Sequence, residues 1–444
     1  MKIAWFTPFS QRSTIGKYSQ IVTQALSQKH DITLWLFEKE DIHQPHCSVR
    51  SFSSDEPEEK IQKELRSYDL IVYNMGNYLY NHRHIYTVLQ HTPGIIIFHD
   101  MILHHFFLSL YLDHLKEPQS YIDHMGHLYG NDAADIAHQS IHHTRTPIWE
   151  QDELIKYPLA ESLYTHAQGI LVHSQFHKKL IEIKYPGPVA MMPLCIWDDT
   201  ELSTPLKIKD ATSANTEKLR VVTIGSVNRN RKIEDALQAL ASHQYLKDNI
   251  EYTIIGRQPD TAYANMLKKK IKEFDLTDSV SLKGYVSADE RERLMAQADV
   301  FLTLRFPAYE GASSSVLEEL MYDTPVIVTN TGFFSEIPDS IVHKVEPDTS
   351  AEQISVLLHQ MIDQKRTGNL RRTTGHQYVT EHHNSKEYIK RFSDICARAQ
   401  GFASFQQTTE RIMRPYASLT QGVEEKGVNK ISTEIAKMYG NMVQ

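Results

Sequence analysis

The stretch ADVFLTLRFPAYEGASSSVLEELMYDTPVIVTNTGFFSE, residues 298–336, runs from one apolar strand to another through a small-residue loop and a helix. ADVFLTL and TPVIVTN are short apolar runs of strand length, and a helix between two such runs is a β-α-β crossover. Glu310 sits in the loop, and Glu318 lies eight positions on, inside the following helix and about two helical turns from the first carboxylate. Gly311, Ala312 and Ser313 allow backbone N–H groups to approach an anionic or hydroxylated ligand where the helix begins. Two carboxylates flanking an amide-rich loop suit a sugar nucleotide, one accepting from sugar hydroxyls and the other from ribose.

The same alternation extends in both directions. LRVVTIGS, EYTIIGR and VSLKGY are further strand-like runs, separated by helical patterns such as EDALQALAS and DERERLMAQA. Ser287 with Glu290, and Ser350 with Gln353, have the spacing of capping boxes at helix starts. Residues 218–395 therefore read as one doubly wound α/β domain. Upstream, KIAWFTPFS, DITLWLF, YDLIVYN, GIIIFHD and QGILVHS alternate with helical stretches, making residues 1–200 a second domain of the same class, with a helical insert at about 104–168. The polar segment between them predicts a linker at 201–217, and 396–444 reads as C-terminal helices. Two Rossmann-like domains on one chain imply a cleft at the carboxyl ends of their strands, where ligands of open α/β sheets bind.

Composition narrows the function. The chain has 444 residues with a net charge of −8, the wrong sign for gripping nucleic-acid backbone over its surface. Its 3 cysteines are far apart, so neither a disulfide framework nor a thiolate zinc site is expected, and a cytoplasmic setting fits. No apolar run approaches the length of a membrane span. Lys268, Lys269, Lys270 and Lys272 form a basic helix face that suits peripheral contact with anionic lipid or plain solvation.

Two more constellations carry chemistry. Arg229, Arg231 and Lys232 stand just before a helix, where fixed cations would offset the charge that develops on a departing diphosphate. His99 follows the strand GIIIF, where a polar strand-end residue faces the cleft and an imidazole can orient hydroxyls or donate to developing charge. Asn74, Gly76 and Asn77 follow another strand and read either as acceptor-side lining or as a plain turn. Half of the 24 histidines fall within residues 82–143. Pairs such as His124 with His127 have helical spacing for a metal, yet no Asp-x-Asp pattern accompanies them in the N-terminal half, so they read as surface residues of the insert. The first strand-to-helix turn lacks GxGxxG, which argues against a nicotinamide dehydrogenase.

The segment from Glu310 to Glu318 resembles the EX7E motif of retaining glycosyltransferase family 4, whose fold is GT-B. GIIIFHDMILHH, QGILVHSQF, VVTIGSVNRNRKIEDALQAL, ADVFLTLRFP and TPVIVTNTGFFSE are similar to the family's motifs and occur in its order. The resemblance implies a retaining, metal-independent hexosyltransferase with no cofactor, using a UDP- or GDP-linked sugar donor and a glycan, glycolipid or protein acceptor. It implies Glu310 on the donor sugar, Glu318 on the ribose, His99 near sugar and diphosphate, and Arg231 or Lys232 on the diphosphate. Ser226 stands where the family usually has Arg after the glycine, so Arg229 or Arg231 must supply that charge. Thr14 and Gly16 occupy the loop in which the family often has paired glycines near the donor phosphates. These departures keep open the alternative of a non-catalytic sugar-nucleotide-binding or assembly subunit.

Overall fold

A computed structural model describes residues 1–37, 41–203, 218–370 and 372–419, with side chains described as far as residue 405. The chain divides into two compact units, one formed by Met1–Asp198, Tyr309–Ala312 and the C-terminal segment from Asn384, the other by Asp199–Ala308 and Ser313–His383.

The first unit is built on a seven-stranded sheet of β1 (Lys2–Phe6), β2 (Asp31–Leu36), β3 (Ser48–Ser51), β4 (Leu70–Met75), β5 (Gly94–Phe98), β6 (Ala167–Val172) and β7 (Val189–Met191). The order is β3-β2-β1-β4-β5-β6-β7, and the paired strands are parallel. β4 and β5 are buried along their whole length, as expected of parallel strands covered on both faces. The strand order reverses between β1 and β4, which places a crevice at the carboxyl ends of these central strands. The core beside this sheet includes Phe6 stacked between Trp35 and Tyr73, at 5.1 and 5.0 Å between ring centroids.

The second unit has six strands, β8 (Leu219–Ile224), β9 (Ile250–Ile255), β10 (Val280–Gly284), β11 (Val300–Thr303), β12 (Val326–Thr329) and β13 (His343–Val345). They lie parallel in the order β10-β9-β8-β11-β12-β13, so the reversal falls between β8 and β11. Helix starts are set by side-chain caps. Ser287 accepts from Glu290 N–H at 3.2 Å, and Ser350 and Gln353 form a reciprocal capping box.

Three expectations about the chain's organisation change. Residues 384–395, expected in the second domain, and the first part of 396–444, expected as separate helices, form one helix, Ser385–Leu419, that packs on the first unit. Its apolar face explains this: Tyr388 Oη meets Tyr18 Oη at 2.6 Å, Phe392 packs 6.0 Å from Trp5, and Ala399 lies over Gly169. Of the expected linker, residues 201–203 belong to the short helix Asp199–Ser203, while 204–217 and the expected tail 420–444 fall outside the described residues. Thr14 and Gly16 do not form a loop; they open the helix Thr14–Leu26, where Ser13 caps the Gly16 N–H at 3.1 Å. Ser13 thereby satisfies one of the first amides of that helix.

Candidate functional site

In the first unit, three neighbouring strands deliver polar side chains to one end of the sheet. Ile97 of β5 pairs with Asn74 of β4 and with Leu171 of β6. Two residues beyond Ile97 and Leu171 come His99 and His173, on the same side of the pleat by the two-residue period. His99 Nε2 meets Asn74 Oδ1 at 2.9 Å, and its Nδ1 meets His173 Nε2 at 3.2 Å. His99 is 8% exposed, and burial, with His173 and His82 nearby, holds it well below the ordinary imidazole range. Both ring nitrogens of His99 face partners within the unit.

Glu310 joins the same place. Met101 N–H donates to Tyr309 O at 2.9 Å and Gly311 N–H donates to His99 O at 2.7 Å, forming an isolated antiparallel bridge between Asp100 and Glu310. Residues so bridged but not themselves hydrogen-bonded bring their side chains close on one face. The approach is close at Gly311, where a Cβ would lie 3.1 Å from His99 O and 3.2 Å from Phe98 O. Asp100 Oδ2 accepts the Asn77 N–H at 2.8 Å; burial, reinforced by Glu310, nevertheless pushes its carboxyl up to about 6. Glu310 and Asp100 thus set two carboxyl groups side by side, an arrangement suited to hydrogen bonding with neighbouring hydroxyls. His177 supports the loop by bonding the backbone of Gly311, with its Nδ1 2.6 Å from Ser174 Oγ. Sequence alone marked Asp100 only as the neighbour of His99 at the strand end, and gave no role to His173 or His177. The available signal was the matching strand ends GIIIFHD and GILVHS.

The second unit holds the remaining expected residues. Gly225 has φ +113°, and a Cβ there would meet Arg231 Nη2 at 2.0 Å. Arg231 is turned inward, 5% exposed, donating from Nε to Ser226 O at 2.7 Å and from Nη1 to Ile224 O at 2.6 Å. Through these two carbonyls it braces the turn from within. Lys232 and Arg229 keep more accessible positions. Lys232 Nζ lies 3.3 Å from Pro347 O and 3.2 Å from Asp235 Oδ2, while Arg229 is exposed and stands 5.1 Å over the Tyr263 ring. Ser226 is exposed beside them.

The two carboxylates of the spaced pair fall in different units, Glu310 in the first and Glu318 in the second. Ala312 is buried in the first; Ser313 is buried in the second and caps the seven-residue helix Ser314–Leu320. Glu318 forms an ion pair with Arg291, and burial raises its carboxyl despite that cation. Its neighbour Glu319 points into the core, accepting from Thr303 Oγ1 at 2.7 and 2.8 Å.

The histidines of residues 82–143 are not all at the surface: His82 and His104 are buried, the latter bonded to Tyr157 O and Tyr121 Oη, both at 2.7 Å. Among the described residues no group of 3 or more His, Cys, Asp or Glu is placed to hold a metal, and no helix is long and apolar enough to cross a membrane.

Comparison with known proteins decides the fold. Residues 206–376 match the family Glycosyl transferases group 1. The amylovoran biosynthesis glycosyltransferase AmsK of Erwinia amylovora is 28% identical over 161 residues, covering 34% of this chain and 37% of AmsK. Among solved structures, sucrose-phosphate synthase from Thermosynechococcus elongatus superposes with TM-score 0.60 at 14% identity, covering 91% of this chain and 100% of that one. HepE of Anabaena, in complex with UDP-glucose, gives TM-score 0.57 at 15% identity, covering 89% and 98%. The architecture is GT-B, two parallel-sheet α/β units, and the glycosyltransferase group 1 segment takes in most of the second unit.

Proposed function

We propose that the chain is a retaining, metal-independent glycosyltransferase that moves a hexose from a UDP- or GDP-linked donor to a hydroxyl of a glycan, glycolipid or glycoprotein acceptor. The observation that carries this reading is the backbone bridge that fixes Glu310 beside Asp100 and His99. The group 1 match in the second unit and the nucleotide-sugar complex of HepE support it. Glu310 holds donor-sugar hydroxyls, and Glu318 with Arg291 receives the ribose. Lys232 and Arg229 offset the diphosphate charge as the glycosidic bond breaks. Arg231 serves them indirectly by folding the turn that carries both. The mechanism is front-face: the departing phosphate oxygen takes the acceptor proton, and the protein contributes positioning and electrostatics.

Glu310→Gln tests the assignment. Weakening one charge-assisted hydrogen bond should cost about 1–3 kcal/mol of transition-state stabilisation, roughly ten- to a hundred-fold in turnover, with the melting temperature little changed. Unchanged turnover would remove Glu310 from the site. Nucleotide-sugar binding by the parent protein without any turnover would favour a non-catalytic binding subunit.

A further inference from the structure

The loop after β4 sets two tyrosine rings in solvent. Tyr78 is 60% exposed and Tyr80 70%, with ring centroids 5.5 Å apart. Leu79 between them is buried, because Tyr78 has extended backbone at the N-cap of the helix Leu79–His91 and the helix then turns Tyr80 back outward. Single exposed apolar side chains are ordinary on a surface; these two form one continuous ring surface on a fixed support. Asn77 N–H donates to Asp100 Oδ2 at 2.8 Å, and Asn77 Oδ1 accepts the Phe106 N–H at 3.0 Å. The buried His82 ring, donating from Nδ1 to Asn74 O at 3.0 Å, lies so close against Gly76 that a Cβ there would come within 2.8 Å of its Nε2. The same loop leads to Glu310. Asn77 Nδ2 lies 3.4 Å from His105 Nδ1, the His105 ring stands 6.3 Å from that of Tyr309, and Tyr309 precedes Glu310 within the first unit.

We propose that Tyr78 and Tyr80 form a platform for a carbohydrate acceptor: the face of a pyranose unit stacks on these rings, with Asn77 and His105 flanking it, so that a hydroxyl at the acceptor's end is held toward the donor sugar at Glu310. This rests on the transferase reading above and narrows its acceptor to a glycan. The two tyrosines are specificity-determining residues, and the platform takes part in no bond-making step.

A pyranose has the complementary chemistry. Its axial C–H bonds gather on one face and carry slight positive charge, which suits the negative face of an aromatic ring, while the hydroxyls around its rim suit amide and imidazole groups. Residues 76–81, GNYLYN, hold no charged side chain, which favours a neutral ligand over an anionic one. Size points the same way. Two tyrosines cover at most about 500 Å² between them, against roughly 800 Å² on each side of a stable protein interface. The fixed loop also matters, because rings already held in place lose little freedom when a ligand settles on them.

The whole chain, fluorescently labelled, is applied to a printed panel of neutral oligosaccharides of glucose, galactose, mannose and N-acetylglucosamine, with and without UDP or GDP. The strongest binder is then titrated by calorimetry against the parent, Tyr78→Ala with Tyr80→Ala, and Tyr78→Phe with Tyr80→Phe. Affinity should fall about ten-fold or more in the alanine pair and stay within about three-fold in the phenylalanine pair, since stacking needs the ring and not the hydroxyl. Because both rings are exposed, the melting temperature should not move in either variant, which separates loss of the platform from loss of the fold. In the parent, C–H protons of the bound sugar should shift upfield, as protons held over a ring face do. Absence of binding to every panel glycan, or equal affinity in the alanine pair, would overturn the platform. Self-association of the parent that the alanine pair abolishes would assign the rings to a protein contact instead. Calorimetry of the parent with UDP and with GDP tests the transferase reading separately: failure of both would contradict that reading, whereas nucleotide binding without glycan binding would overturn the platform alone.

Discussion

Arg231 and Lys232 are adjacent in sequence and opposite in situation. Arg231 holds the carbonyls of Ile224 and Ser226 from inside the turn, so Arg231→Ala should leave the buried Ile224 carbonyl short of a donor and cost about 1–3 kcal/mol of stability. Lys232 lies at the turn's surface end, contacting Pro347 O and Asp235. Lys232→Ala should therefore spare the melting temperature and weaken nucleoside-diphosphate affinity more than nucleoside affinity. Denaturant melts and calorimetry on the two variants check the contrast; equal effects on stability would show that the inward and outward readings are wrong. Neither sequence position announced its orientation. Only the backbone conformation at Gly225, whose missing Cβ leaves room for the guanidinium, decides which cation turns in.

At the scale of elements, the strands and their order of appearance were legible because parallel strands buried on both faces are near-continuous apolar runs, as in GIIIF and LIVYNM. What those runs could not tell is which strand lies next to which. His173 joins His99 only because β6 lies beside β5 with Leu171 opposite Ile97, a register set by tertiary packing. The expected loop at Thr14–Gly16 failed for a local reason, since Ser13 three residues before Gly16 is a helix cap. The bridge between Asp100 and Glu310 was equally hidden, being 210 residues distant in sequence by simple subtraction. Its dependence on Gly311 is testable. Gly311→Ala places a methyl group 3.1 Å from His99 O, which should strain the bridge by about 1–3 kcal/mol. Turnover should fall with it, and amide exchange at Gly311 and Met101 should quicken. Unaltered exchange would mean that the loop tolerates the methyl group and does not depend on the close approach.

For the whole molecule, buried histidines set the response to acid. Burial lowers His82 and His177 to about 4 and His104 to about 3, against about 6.5 in an unfolded chain. The unfolded state therefore binds more protons than the folded state between these values. The stability each neutral histidine contributes is fully present above about pH 6.5 and is lost as pH falls toward 4, at up to about 1.4 kcal/mol per pH unit for each residue. Melting temperature should thus drop far more between about pH 6.5 and 5 than between about pH 8 and 6.5. A flat profile across the acid range would show that these rings are solvated.

The central claim, transfer from a nucleotide sugar with retention and without a metal, is reached most directly by watching donor cleavage. Proton NMR of UDP-glucose, or its GDP-hexose counterparts, incubated with the protein and EDTA follows the sugar anomer released to water as it forms. Slow release of nucleoside diphosphate, with the first-formed hexose keeping the donor's anomeric configuration, is the predicted result. An inverted first product, or cleavage that stops on chelation and returns with manganese or magnesium, would contradict it.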